Sequence, residues 1–176
     1  MSKKIILASQ SQFRKKQMED LGFPFETRSP NINETGIEEA WMGSLKALTV
    51  HLSQEKAKVV FKQEPEAIVI GSDQMLIFNG QTYAKPETMD QCCERLQMLQ
   101  GQTHELHTGL CVINGGEMKT STTVARLTMR PLTPEEIKNY VTFDQPIGCA
   151  GGYKIEQKGL HLFKSIQTND HSSIVG

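Results

Sequence analysis

Two stretches place reactive residue types directly after apolar runs. In KKIILASQSQFRKK the run ends in Ser9 and Ser11, and Arg14, Lys15 and Lys16 follow at once. In AIVIGSDQ, Ile68, Val69 and Ile70 give way to Gly71, Ser72, Asp73 and Gln74. Hydroxyls and free backbone N–H groups at a helix start, with guanidinium and ammonium groups in its first turns, form a cradle suited to phosphate. A carboxylate at the carboxyl end of a strand stands where α/β sheets collect ligands. Singly, each feature also has a plainer reading. A basic run is commonly a solvated helix face, and an acid after a strand commonly caps a turn. The same holds for Glu34 in NINET, Lys56 in QEKAK and Lys85 before Pro86.

The elements that hold these residues are readable in order. KKIILA predicts a strand, and Ser9 or Ser11 caps a helix, SQFRKKQMEDLG, that Gly22 ends in a left-handed conformation. FPFETRS is extended. Trp41, Leu45, Leu48, Leu52 and Val59 fall near helical spacing and predict one long helix from about Ile37 to Lys62, before Pro65. AIVIGSD is the next strand, with Asp73 at its end. MLIF, Asn79-Gly80 and QTYA predict a hairpin, because Asn-Gly tolerates the positive φ of a type I′ turn. Thr88 and Gln91 offer a capping box for CCERLQMLQG, closed by Gly101. HELHTGLCVI and MKTSTTVARLTMR are long strands joined at Asn114-Gly115-Gly116. Thr133, Pro134 and Glu136 open the helix TPEEIKNYV, and LHLFKSI is the last strand. Hairpins mixed with crossover helices imply an α/β protein with a mixed sheet.

Composition bounds the function. The chain has 176 residues and is 38% hydrophobic, and no apolar stretch approaches the roughly 18 residues of a membrane helix. One domain over 1–176, with at most two lobes, is expected. Nineteen basic residues against twenty acidic ones give a net charge of -1, so neither nucleic acid nor a membrane is recommended as partner. An anion site must be a local cluster. The basic N-terminus is followed by too short an apolar run for a secretory signal, which leaves a cytoplasmic location as the expectation. Cys92 and Cys93 adjoin while Cys111 and Cys149 lie far off; the spacing suits neither zinc nor a disulfide framework, and reduced, mostly buried thiols are expected.

Together, the order and context of these pieces resemble the Maf family of nucleoside triphosphate pyrophosphatases over nearly the whole chain. The motifs read here ILASQSQFRKKQMEDLGFPFE, NINE, QEKA, VIGSDQ, a hairpin followed by AKP, MLQGQTHELHTGL and PIGCAGGYKIEQKGL. The resemblance implies an elongated mixed sheet of the Maf and inosine triphosphate pyrophosphatase type, with a cleft between two lobes. It implies a hydrolase of acid anhydrides that splits a nucleoside triphosphate between its α- and β-phosphates. Ser9, Ser11, Arg14 and Lys15 would bind phosphate; Glu34, Lys56, Asp73 and Lys85 would form the catalytic set. Glu34 and Asp73 would hold Mg²⁺ or Mn²⁺ through hard oxygens. Whether Asp73 deprotonates the attacking water, orients it or mainly anchors the metal stays open.

Within the family, an aromatic in the first loop, Asp-Gln after the strand and a late glutamate resemble the branch that cleaves 7-methyl-GTP. Here these are Phe13, Asp73-Gln74 and Glu156. N7-methylguanine is cationic, so stacking on Phe13 and acceptance by Glu156 from the guanine N1–H and amine suit it. Phe13 has core packing as its plainer reading, and Glu156 an exposed loop acid. Elsewhere in the branch the aromatic is also Trp, a larger platform. In the first motif Gln12 replaces the usual proline and Lys15 the second arginine, so the charge persists without the bidentate fork. The family normally continues past Gly176 through a C-terminal helix, which is expected to be missing here. The alternatives are a dTTP and UTP pyrophosphatase of the same family, or a non-catalytic nucleotide-binding regulator of septum formation. A homodimer is a further open expectation.

Overall fold

The β-branched runs pair into one seven-stranded sheet in a computed structural model that describes residues 3–175. Its order is β2 (Glu26–Thr27), β1 (Ile5–Leu7), β3 (Ile68–Phe78), β5 (Thr103–Asn114), β6 (Glu117–Met129) and β7 (Phe163–Gln167), with β4 (Gln81–Tyr83) paired to β3 off this path. β1 runs parallel to β2 and β3, whereas β4 and β7 lie antiparallel to β3 and β6. The sheet is mixed, as the alternation of hairpins and crossovers predicts. The helices are α1 (Gln12–Asp20), α2 (Glu34–Glu39), α3 (Leu45–Gln63), α4 (Met89–Leu99), α5 (Pro134–Asp144) and the short α6 (Ser172–Val175).

Local chemistry sets many of these boundaries. Ser11, rather than Ser9, caps α1 by accepting from the Arg14 N–H, and Gly22 follows the helix at φ +74°. Asn79 and Gly80 turn the β3–β4 hairpin at φ 51° and 75°, and Gly115 and Gly116 turn the next at 58° and 84°, as a type I′ geometry requires. Thr133 and Glu136 form the expected reciprocal box at the start of α5. Thr88 caps α4, but Gln91 Oε1 accepts from the Glu87 N–H at 2.7 Å, one residue before the position a capping box uses.

Three predicted elements are corrected. The helix over 37–62 is two helices: Asn33 caps α2, which closes at Ala40, residues 41–44 are not helical, and Ser44 starts α3 by accepting from the Ala47 N–H at 3.2 Å. Trp41 kept helical spacing without being helical. Its indole N–H donates to the Ser44 carbonyl at 3.0 Å, and its ring stacks on His51 with centroids 4.9 Å apart. Glu34, expected in a loop, is therefore the first residue of α2.

The second correction concerns Asp73. β3 is one strand of 11 residues rather than two pieces with Asp73 at the end of the first. β1 accompanies it over Ile68, Val69 and Ile70, and β4 over Leu76, Ile77 and Phe78. Asp73 stands mid-strand between these pairings. Third, residues Lys158–Leu162 wind into a 3₁₀ turn, with the Gly159 N–H bonded to the Lys154 carbonyl at 3.0 Å, so β7 begins only at Phe163.

The described chain divides into two units, one of residues 3–74 with Thr108–Thr123 and the other of Met75–His107 with Val124–Val175. Each has its own core. In the first unit Ile6, Ala8, Ala57, Val60, Val69, Cys111 and Ile113 are packed together. Here two glycines let the α3 backbone rest directly on the strands. A Cβ at Gly71 would stand 2.2 Å from the Ser53 carbonyl oxygen, and one at Gly109 would stand 2.4 Å from that of Thr49. Gly71 and Asp73 share a strand face by the period of two, so the close approach at Gly71 brings α3 over Asp73.

In the second unit Leu96, Leu99, Leu106 and Leu127 are fully or almost fully buried, each contributing about 1.5–3 kcal/mol. His104 is buried among them, with Nε2 2.8 Å from the Tyr153 hydroxyl. Burial, and secondarily the charge of Arg95, lowers its pKa from 6.5 to about 4. The unfolded chain therefore takes up this proton first. The contribution is fully present above pH 6.5 and is lost as pH falls toward about 4, with an expected size on the order of 3 kcal/mol. Thermal unfolding followed across this range should show that loss. His104→Phe keeps a ring beside Tyr153 and Phe163 and should flatten the slope. An equally steep slope in the variant would assign the titration elsewhere. All four cysteines are free thiols, with Cys92 and Cys111 buried. Among the described residues no helix is long and apolar enough to cross a membrane.

Candidate active site

The first unit gathers most of the chemistry-bearing residues. Lys56, from the middle of α3, is 5% exposed, and its Nζ donates to Asp73 Oδ1 at 2.6 Å and to Glu34 Oε2 at 2.7 Å. Asp73 is equally buried, whereas the Glu34 side chain remains 45% exposed. A buried ammonium thus joins one buried and one open carboxylate. Glu34 Oε1 and Asp73 Oδ2 accept no hydrogen bond from the described residues.

Beside this triad lies Arg14. It is buried on α1, with Nη1 donating to the Ser72 carbonyl at 2.7 Å and to Ser9 Oγ at 3.4 Å. Ser9 Oγ also accepts from the Ser11 N–H at 3.1 Å, so the hydroxyl ties the loop after β1 to the helix start. Arg14 Nε is buried without a hydrogen-bond partner among the described residues. Burial pulls the Arg14 pKa below its usual value, opposed by the charges of Asp73 and Glu34. A guanidinium keeps its charge under such a shift. The result is a desolvated cation with an unused donor, next to a carboxylate that shares a neighbouring lysine.

The remaining predicted residues fall in different places. Lys15 is exposed and paired with Glu19 at 3.9 Å, and Lys16 with Asp20 at 2.7 Å; both contacts run along the outer face of α1. Phe13 is half-buried on the same helix. Gln74, the residue after Asp73, donates from Nε2 to Thr108 Oγ1 of β5 at 3.2 Å. Lys85 and Glu156 belong to the second unit, where both are exposed in loops. Lys85 follows β4 and borders a cavity of about 380 Å³. Glu156 lies in the turn before Lys158–Leu162.

Sequence reasoning missed Glu38. Burial, then the negative charges of Asp73 and Glu34, raises its pKa, with Lys56 acting in the opposite sense. Glu34 and Glu38 are four apart on α2, a spacing that puts both on one helix face. ETGIEE carried that signal, but a helix taken to begin at Ile37 concealed it. Sequence reasoning also missed the role of Gly71, whose lack of a side chain lets α3 lie against the strand.

Comparison with known proteins finds relatives along nearly the whole chain. The family profile described as "Maf-like protein" matches residues 4–176. The 7-methyl-GTP pyrophosphatase of Nitrosococcus oceani is 36% identical over 174 residues, covering 98% of this chain and 86% of the relative. That of Hydrogenovibrio crunogenus is 37% identical over 175 residues, with coverage of 98% and 86%. The nucleoside triphosphate pyrophosphatase of Rhodopseudomonas palustris strain BisB18 is 36% identical over 179 residues, with coverage of 99% and 88%.

Proposed function

The chain belongs to the Maf family of nucleoside triphosphate pyrophosphatases, and on that premise we propose that it hydrolyses 7-methyl-GTP to 7-methyl-GMP and pyrophosphate. The observation that carries the reading is the Lys56 ammonium held 2.6 Å from Asp73 and 2.7 Å from Glu34, beside the buried Arg14 guanidinium. A triphosphate brings several negative charges, and preorganised cations in a desolvated site stabilise the further charge that builds on the phosphoryl oxygens during transfer. Ser9 and the N–H groups at the start of α1 add neutral donors, and Lys85 adds a second ammonium. Lys15, turned toward Glu19, contributes at most to the general field.

Asp73 is assigned to the attacking water. The water oxygen forms a bond to the α-phosphorus, and the bond from that phosphorus to the α–β bridging oxygen breaks. Pyrophosphate leaves with the electron pair, and the water proton passes to a carboxylate oxygen of Asp73. Lys56 holds Asp73 Oδ1 and so fixes where the other oxygen points. Glu34 and Asp73 also fit a hard divalent cation, because each keeps an oxygen that Lys56 does not engage. When bound there, Mg²⁺ or Mn²⁺ would supply charge neutralisation for the phosphates. Excess EDTA should therefore abolish pyrophosphate release and added Mg²⁺ restore it; undiminished turnover in the chelator would remove the cation from the reaction.

The base is assigned to Phe13, Gln74 and Glu156, supported by relatives that carry the 7-methyl-GTP name. Phe13 offers a half-buried ring, and stacking on a cationic purine is worth roughly 0.5–2 kcal/mol. The Gln74 amide is steadied by Thr108. Glu156, exposed, accepts from the N1–H and amine that a pyrimidine lacks. Losing such a polar contact should lower discrimination about tenfold or more. Glu156→Gln is expected to reduce the kcat/KM ratio of 7-methyl-GTP over UTP while changing UTP hydrolysis little. Equal losses on both substrates would sink the assignment of the base and leave the phosphate chemistry standing.

A further inference from the structure

We propose that Arg95 is a positioning residue that fixes the loop of Lys85 and the loop leading to Glu156 against each other. The inference rests on the phosphate and base roles given above to those two residues. Arg95 projects from α4, and its two terminal nitrogens go to two different loops of the second unit. Nη2 donates to the Ala84 carbonyl at 2.9 Å, directly before Lys85, and Nη1 to the Ala150 carbonyl at 2.6 Å. On the other side of Lys85, the Pro86 carbonyl accepts from the Gly148 N–H at 2.9 Å. The backbone is thus clamped immediately before and after Lys85, both times in connection with the 148–150 turn.

The second loop is shaped around the same side chain. Gly152 adopts φ +71°, and a Cβ there would lie 3.3 Å from Arg95 Cγ, so the chain turns closely over the arginine stem. It then runs to Lys154, whose N–H donates to the Tyr140 hydroxyl at 2.9 Å, and on to Glu156. The Arg95 guanidinium lies 5.1 Å from the Tyr83 ring centroid, a cation–π distance. Burial pulls its pKa down, with Tyr83 and Cys92 opposing. A planar fork with separated donors spans two carbonyls in this way, whereas an ammonium presents its donors at one point. Arg95 therefore sets the phosphate grip and the base-selecting segment together, without touching substrate.

The test uses tripolyphosphate binding by calorimetry and the kcat/KM values for 7-methyl-GTP and UTP, on variants checked for folding by circular dichroism. Arg95→Gln should weaken tripolyphosphate binding about tenfold and also lower the preference for 7-methyl-GTP. Lys85→Met should weaken binding and leave the preference intact. Because Arg95 acts on phosphate through Lys85, the double variant should bind no more weakly than Lys85→Met alone. Arg95→Lys, which keeps the charge, should fall between wild type and Arg95→Gln, and it carries the test if the glutamine variant does not fold. Losses that multiply in the double variant, or wild-type binding and preference in the folded Arg95 variants, would overturn the inference. Unchanged binding in Lys85→Met would overturn it too, by removing the phosphate role of Lys85 itself.

Discussion

Asp73→Asn should lower kcat for pyrophosphate release by about 10²–10⁴-fold while nucleotide binding stays unchanged or tightens. The two side chains have the same shape, so the amide oxygen can still accept from Lys56, which lies 2.6 Å from Oδ1 in the native protein. What the variant loses is the negative charge and the capacity to take the water proton. Removing that charge from a site built for a triphosphate favours the ground-state complex rather than weakening it. Steady-state release of pyrophosphate, set beside binding of a non-hydrolysable nucleotide, separates these effects. Near wild-type turnover in a folded Asp73→Asn protein would strip the residue of its assigned role.

Lys56→Met should cost both activity and stability. Asp73 and Lys56 side chains are each 7% exposed, and removing one partner of a buried pair leaves the other charge desolvated, at about 3 kcal/mol or somewhat more. Glu34 adds little to that cost, since its side chain is 45% exposed and water can replace the lysine. Turnover should fall about 10²–10³-fold, as for other preorganised groups that stabilise transition-state charge. The double change of Lys56→Met with Asp73→Asn should recover part of the lost stability without recovering activity. Urea midpoints of the three variants supply the comparison. Strict additivity would mean that the pair is not energetically coupled.

Much of the fold was legible because its signals are local. Asn79-Gly80 and Gly115-Gly116 take up positive φ whatever surrounds them, and Ser11 and Thr133 each satisfy a helix N–H group three residues away. What was hidden depends on partners distant in the chain. β3 continues through Gly71, Ser72 and Asp73, between its pairing with β1 and its pairing with β4, with β5 as its other neighbour in the sheet, although that stretch reads locally as a strand end. Trp41 imitated helical periodicity while folding back on Ser44 and His51. The site behaves alike: Lys56 and Asp73 stood out through their motifs, whereas their contact required Gly71 to admit α3. Arg95 carries no sequence signal for its task, since the carbonyls it holds lie 11 and 55 residues away.

The most direct measurement is a product analysis of one nucleotide panel, 7-methyl-GTP, GTP, UTP and dTTP, each incubated with the protein and Mg²⁺. The expected result is equimolar nucleoside monophosphate and pyrophosphate, with 7-methyl-GTP giving the highest kcat/KM. Release of orthophosphate with a nucleoside diphosphate, or no turnover of any of the four by folded protein, would contradict it.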